Sequence, residues 1–119
     1  MNYGRPEDHL SELQACLSGG QLVVRGDGQL NEAEFLDYGR DRTRVFPADY
    51  RVLCFVTSTE ELAEIVRRCN RHRIAITPAG GRTGLCGGAV AAGGELGISL
   101  ARLNRLLDWN PYLPAITVE

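Results

Sequence analysis

Residues 52–81 read Val52-Leu53-Cys54-Phe55-Val56-Thr57-Ser58-Thr59-Glu60-Glu61-Leu62-Ala63-Glu64-Ile65-Val66-Arg67-Arg68-Cys69-Asn70-Arg71-His72-Arg73-Ile74-Ala75-Ile76-Thr77-Pro78-Ala79-Gly80-Gly81. Val52 to Val56 is an unbroken apolar run, the pattern of a strand buried on both faces. Ser58-Thr59-Glu60-Glu61 is a capping box that opens a helix: the serine accepts from the N–H three residues on, and the glutamate reaches back. Leu62, Ile65, Val66 and Cys69 recur at helical spacing and predict its inward stripe. Arg67, Arg68, Arg71 and Arg73 load its last turns with the charge that the carboxyl end of a helix dipole favours. Ile74 to Thr77 is the next strand. Strand, helix and strand with short joints make a βαβ unit, so the two strands are expected to be parallel and joined right-handedly. The fold class is α/β.

The second strand runs into Pro78-Ala79-Gly80-Gly81-Arg82-Thr83-Gly84-Leu85-Cys86-Gly87-Gly88-Ala89, where five of twelve residues are glycine. Missing Cβ atoms let the backbone turn sharply and approach a ligand closely. Successive bare N–H groups form a concavity that favours anions. Thr83 adds a hydroxyl able to donate to a phosphate oxygen, and no carboxylate lies in the stretch. Pro78 stiffens its mouth, whereas a slack linker would be polar and serine-rich. The loop leaves the carboxyl end of a parallel strand, where open α/β sheets bind ligands. It is expected to hold a diphosphate or similar anion by its main chain; a plain flexible connector is the alternative. Two familiar phosphate loops are excluded. The P-loop needs a lysine on the phosphates, and all 13 basic residues here are arginine. The Rossmann fingerprint opens a helix, and no amphipathic helix follows these glycines.

Upstream, Pro6 opens a first helix with Glu7 and Asp8 at its positive end. Leu10, Leu13 and Leu17 give its apolar stripe, and Gly19-Gly20 stops it. Leu22-Val23-Val24 suits a short strand. Asn31 with Glu34 is a second capping box, predicting a short helix from Asn31 to Tyr38. Arg40, Arg42 and Arg44 alternate, so on an extended segment they share one face: an anion-facing strip or, more simply, a solvated one. Downstream, Gly93-Gly94 makes a turn, and Leu96, Ile98 and Leu100 alternate as a strand. Ala101 to Leu107 reads as a helical turn or two, with Leu103, Leu106 and Leu107 facing inward. Asn110-Pro111 and Pro114 punctuate, and Ala115 to Val118 begins a further strand. An end inside an apolar strand is unusual for a terminus, so the chain is expected to be a fragment of a longer protein.

At 119 residues with 44% hydrophobic content the chain is one small globular domain or part of one. A net charge of −2 gives no reason to expect nucleic acid as a partner. No segment is long and apolar enough to span a bilayer, and residues 1–8 lack the basic-then-apolar order of a signal peptide. The expected compartment is the cytoplasm, with peripheral attachment at the inner membrane as an alternative. Cys16, Cys54, Cys69 and Cys86 form no C-x-x-C pair, and His9 and His72 are far apart in sequence, so spacing points to no metal site. Cys54 and Cys69 read as core residues and Cys86 as a small filler.

Together these stretches resemble the start of the FAD-binding (PCMH-type) domain of the vanillyl-alcohol oxidase / p-cresol methylhydroxylase flavoproteins. The resemblance rests on Val52 to Val56, Ser58 to Leu62, Ile74 to Pro78, Gly80 to Ala89 and Thr117-Val118-Glu119, and covers about residues 35 to 119. Leu36-Asp37-Tyr38-Gly39-Arg40-Asp41 is similar to the tyrosine-to-aspartate segment that precedes the domain there. The branch it most resembles holds the glycolate oxidase flavin subunit, D-lactate dehydrogenase and D-2-hydroxyglutarate dehydrogenase. The resemblance implies residues 1–45 as a lead-in and 46–119 as the first half of a FAD-binding domain, truncated at its carboxyl end, with an α+β architecture overall. It implies FAD, with Ala79, Gly80, Gly81, Arg82, Thr83, Gly84 and Leu85 on the pyrophosphate and Gly87 and Gly88 shaping the return. Where covalent branches often carry histidine, Arg82 stands, so non-covalent FAD is expected. Thr57 replaces a frequent proline, and His72-Arg73 a frequent helix-ending glycine.

The activity so implied is oxidation of a 2-hydroxy acid such as glycolate or D-lactate, with electrons passed to a quinone, a carrier protein or oxygen. The substrate-binding domain that supplies catalytic side chains in that family has no counterpart here. None of the 119 residues is assigned a catalytic role: Asp41 reads as a capping or turn acid, Arg82 as a solvated loop arginine and Cys86 as a filler, and the chain alone is expected to be inactive. Two alternatives stand beside this: a non-catalytic remnant or small α/β interaction module that binds no flavin, and an enzyme using another phosphorylated ligand.

Overall fold

The computed structural model describes residues 2–119. A 3-10 turn at Pro6–His9 leads into α1 (Leu10–Gln14), followed by β1 (Leu22–Val24), α2 (Glu32–Asp37), β2 (Val52–Phe55), α3 (Thr59–Arg71), β3 (Ile76–Ala79) and β4 (Leu96–Ser99). A hairpin of β5 (Leu106–Asn110) and β6 (Ala115–Val118) closes the chain. The first four strands form one sheet in the order β1-β2-β4-β3. β2 and β3 both run parallel to β4, and β1 is antiparallel to β2. The expected parallel pair is present, but β4 lies between its two members.

Every residue of β2 and β4 is buried, as central strands covered on both faces must be. Alternation divides the core in two. Val52, Cys54 and Val56 meet Leu13, Leu22, Ile65, Cys69, Ile74, Leu96 and Ile98 on the α3 side. Leu53 and Phe55 meet Val23, Phe35, Ala48, Tyr50 and Ala91 on the other. Of the predicted α3 stripe, Ile65 and Cys69 are buried and Leu62 partly so, while Val66 is 38% exposed at the stripe's edge.

Both predicted helix starts are capped. The Asn31 side chain accepts from the Glu34 N–H at 2.9 Å, and Glu34 answers at 3.2 Å. Ser58 accepts from the Glu61 N–H at 3.1 Å. Glu61 reaches one residue further back, to the N–H of Thr57 at 2.7 Å and its hydroxyl at 2.9 Å, and takes a third bond from Gln21. At the far end of α3 the Ile74 N–H bonds the Cys69 carbonyl and the Arg73 N–H that of Asn70. That is a Schellman motif, closed by a non-glycine: Arg73 sits at φ +56°.

Two expectations are corrected. β3 begins at Ile76, two residues late, and takes in Pro78. The carbonyls of Ala75 and Ala79 face β4, so Pro78 presents its missing N–H to the open edge, where a strand tolerates proline. Residues 101–107 are not helical: Leu106 and Leu107 belong to β5 and are more than half exposed. Leu103 alone of that trio packs on the core. The amphipathic spacing there served a hairpin, whose Leu106, Leu107, Trp109, Leu113, Ile116 and Val118 stand outside the main core.

Candidate functional site

The glycine loop leaves β3 beside the end of β4. Ala79 is in register with Ser99, and the Leu100 N–H donates to the Ala79 carbonyl at 2.9 Å. The loop thus starts at the carboxyl rim of the parallel strands, as expected. From Gly80 to Cys86 no main-chain N–H donates to another described residue. Thr83 and Leu85 between these glycines are exposed.

Two kinds of glycine bear on the site, apart from the turn glycines Gly20, Gly26, Gly28 and Gly94, which have positive φ. A Cβ on Gly97 would stand 2.9 Å from the Tyr50 ring, one on Gly39 would stand 2.4 Å from it, and one on Gly4 would strike the His72 carbonyl. These are needed by the fold's own packing. At Gly80, Gly84 and Gly88 an added Cβ meets nothing within 4 Å, and at Gly81 only Thr83 Cγ2 at 3.8 Å. None of those four has the positive φ that favours glycine; Gly87, at +81°, does. Among the described residues nothing calls for glycine at 80, 81, 84 or 88; Gly19 is equally open but stands alone, whereas these four cluster in one loop, and their bareness is free to serve something that approaches from outside.

Three ties hold the loop, all to residues 37–44. The Arg82 guanidinium donates to the carbonyl of Asp37 at 2.7 Å and to its carboxylate at 3.1 Å, and lies 4.6 Å over the Tyr38 ring. Arg82 is itself at φ +57°. The Arg42 N–H donates to the Gly84 carbonyl at 3.3 Å. The Gly87 N–H donates to Asp41 Oδ2 at 3.0 Å.

Two hollows flank the loop. One, of about 370 Å³, lies at the strand rim between Gly80, Gly81, Leu100, Ala101, Leu103 and Glu119 and is mainly apolar. The other, of about 360 Å³, is strongly polar: Arg40, Arg42, Arg44 and Arg82 converge with Asp37, Asp41 and Gly81. The three alternating arginines do line one hollow, but through a turn at residues 41–44 and not on the extended segment that their alternation suggested. Asp37 pairs with Arg44 and Arg82, which leaves Arg40 and Arg42 without a salt bridge among the described residues. Hydrogen bonds from the Thr43 hydroxyl and the Gly87, Arg44 and Thr43 N–H groups hold the Asp41 carboxyl below its ordinary range.

Of the sequence-predicted loop residues, the structure brings Ala79 through Leu85 together at the rim and returns the chain through Gly87 and Gly88. Cys86 is exposed rather than filling space. Sequence reasoning missed Asp37 as the anchor of Arg82, and it took Asp41 for a mere turn acid. It also missed His9, Glu12 and His72, which the fold gathers from the amino-terminal turn and helix and from the end of α3. The two rings stack at 3.9 Å, and Glu12 bonds His72 Nε2 at 2.6 Å and Arg71 at 3.1 Å. With both carboxylate oxygens so occupied, this trio ties the amino terminus to the end of α3. No signal in linear spacing could have shown it.

Residues 50–119 match the family model described as FAD binding domain. The chain belongs to that family. The FAD binding domain relatives include a D-2-hydroxyglutarate dehydrogenase of Xanthomonas citri pv. viticola, 46% identical over 87 residues. A D-lactate dehydrogenase of Anaerostipes hadrus is 43% identical over 89 residues. These alignments cover 73% and 74% of this chain but 18% of each relative, so the chain spans about a fifth of the length of the relatives it matches. Among solved structures, an alkyldihydroxyacetonephosphate synthase superposes with a TM-score of 0.72 at 17% identity, over 94% of this chain and 21% of that one. A p-cresol methylhydroxylase does so with 0.66 at 21% identity, over 88% and 20%. The resemblance drawn from the motifs is borne out, and so is the fold. The cofactor class is a flavin. The loop fits a diphosphate-bearing flavin on two counts: a run of main-chain donors without internal acceptors, and glycines whose missing Cβ atoms clear a path to them. No helix among the described residues is long and apolar enough to cross a membrane.

Proposed function

We propose that loop 78–89 holds the pyrophosphate of FAD, bound non-covalently, within a longer flavoprotein that oxidises a 2-hydroxy acid. One observation carries it: the N–H groups of Gly80 to Cys86 have no acceptor among the described residues, beside glycines that the fold does not need. In this reading Ala79, Gly80, Gly81, Arg82, Thr83, Gly84 and Leu85 contact the pyrophosphate, and Gly87 and Gly88 turn the chain back. Residues 46–119 form the first half of the FAD-binding domain and residues 1–45 its lead-in.

The division of labour follows from the residues. Bare N–H groups aimed at an anion bind it without a counter-charged side chain. The Thr83 hydroxyl adds one donor. The rim hollow by Leu100 and Leu103 offers a mainly apolar surface to whatever lies against it. Arg40 and Arg42 raise the local positive potential, which favours capture of a dianion. Arg82 offers no nucleophile for covalent attachment. When bound, a flavin accepts the hydride of the alcohol carbon and passes electrons onward. The residues that recognise a glycolate- or D-lactate-like substrate, and the meeting point with a quinone or carrier protein, are assigned to parts of the protein beyond these 119 residues.

The test is the full-length protein, purified and scanned for flavin absorption, beside its Gly84→Asp variant. Yellow wild-type protein and a colourless variant that still folds are the expected result. Colourless wild-type protein that FAD cannot reconstitute would falsify the assignment and favour the non-flavin module.

A further inference from the structure

Between Gly80 and Cys86 no main-chain N–H of the loop donates to another described residue. With the N–H groups of Gly80 to Cys86 uncommitted, the loop's shape is set by the three ties to residues 37–44, which lie outside the matched family region 50–119. The ties are not equal. The Asp37 carboxylate is 44% exposed, so its ion pair with Arg82 holds little in water; the Arg82 bond to the Asp37 carbonyl at 2.7 Å anchors the entry limb of the loop, not its return. The Arg42 to Gly84 bond is long at 3.3 Å. Asp41 is different: it is only 5% exposed, and both carboxylate oxygens are used. Oδ1 accepts from the Thr43 N–H at 3.0 Å, the Thr43 hydroxyl at 2.7 Å and the Arg44 N–H at 3.2 Å. Oδ2 accepts from Gly87 alone, at 3.0 Å. One oxygen builds the turn of residues 41–44, and the other pins the return limb of the loop to that turn.

Resting on the assignment of the loop to FAD, we propose that Asp41 is a positioning residue for the cofactor: it preorganises the donor row of Gly80 to Cys86. Preorganisation saves the cost of ordering a loop upon binding. A buried carboxylate accepting a main-chain N–H is among the stronger single hydrogen bonds. The lead-in segment is thereby part of the cofactor site, although it contributes no donor to the cofactor itself.

The two oxygens can be separated by mutation. In Asp41→Asn the amide oxygen keeps the Thr43 and Arg44 bonds, while the NH₂ group replaces Oδ2 and faces the Gly87 N–H, donor against donor. Thr43→Val does the converse: it weakens the turn and leaves Oδ2 on Gly87. Full-length apoprotein is titrated with FAD by fluorescence. The visible circular dichroism of bound flavin, the melting of the apoprotein and the hydrogen exchange of residues 80–88 are recorded for each variant. Asp41→Asn is expected to weaken FAD binding about tenfold or more, the loss typical of one hydrogen bond to a charged group. It should speed exchange in the loop and alter the flavin dichroism, with a fall in the apoprotein melting point no larger than that of Thr43→Val. Thr43→Val should lower the melting point and leave FAD affinity alone. Wild-type protein that binds FAD beside an Asp41→Asn variant of equal affinity and dichroism overturns this inference alone. Wild-type protein that takes up no FAD overturns the loop assignment and this inference with it.

Discussion

Tyr50 lies against Gly97, so that a Cβ at position 97 would stand 2.9 Å from Tyr50 Cε2 and 3.3 Å from Leu53 Cδ1. Tyr50 is fully buried, stacks on Phe35 at 4.6 Å, and donates its hydroxyl to the Phe35 carbonyl. It cannot retreat without breaking that bond. Gly97→Ala is therefore expected to cost about 1–3 kcal/mol, the range for overpacking a tight core, read as a lowered melting point.

The loop glycines should behave in the opposite way. At Gly81, Gly84 and Gly88 an alanine finds open space and an ordinary φ. Each change should leave apoprotein stability unaltered or raise it by about 0.4–1 kcal/mol through a less flexible unfolded chain. FAD affinity should fall for each. Stability loss at these positions, or unchanged cofactor binding, would contradict the division into two kinds of glycine.

Arg73 occupies the left-handed position that ends α3. A non-glycine there costs roughly 1–2 kcal/mol, partly offset by the greater unfolded entropy of glycine, about 0.5–1 kcal/mol. Arg73 is exposed and the Schellman bonds are made by its main chain. Arg73→Gly is expected to stabilise the protein by about 0.5–1 kcal/mol in urea unfolding.

Two carboxylates predict the acid limb of the stability curve. Hydrogen bonds hold Asp41 below its ordinary range. At Glu61, burial alone would push the carboxyl up, but bonds from Thr57, Gln21 and Ser58 hold it down. Each binds protons more weakly folded than unfolded. Their contribution is complete above the unfolded carboxylate values, about 4, and is lost as pH falls through the lower folded values. Unfolding measured from pH 6 downward should show this loss, and Glu61→Gln should flatten the slope.

The thiols should differ sharply in reactivity. Burial pushes Cys54 up to about 12 and Cys69 to about 11, and both lie in the core. Cys86 is exposed in the loop. Iodoacetamide is expected to modify Cys86 first, and FAD to slow that reaction if the loop encloses the cofactor. Peptide mapping with and without FAD checks both.

Much of this fold was legible because its signals are local. The Val52 to Val56 run, the two N-caps and the glycine loop each depend on neighbours within a few residues, and each stands where expected. What failed depended on distant chain. β4 enters between β2 and β3 through strand pairing, which leaves no mark on either strand alone. Leu106 and Leu107 have a spacing that suits a helix turn or a twisted hairpin equally, and only pairing with β6 decides between them. The loop was legible as an anion holder, since glycine and the absence of acids are local facts. Its anchors were not: Asp37 lies 45 residues from Arg82 and Asp41 46 residues from Gly87.

Pro78 on the outer edge of β3 has a consequence for how molecules meet in solution. A sheet recruits a foreign strand through a row of free donors and acceptors along its margin. Here the proline breaks the donor row, while Gly4 bridges to Ile74 and its N–H covers the Arg73 carbonyl just before the strand. That flank offers a foreign strand an interrupted row, which disfavours fibril-like stacking of copies along it in a concentrated cell extract.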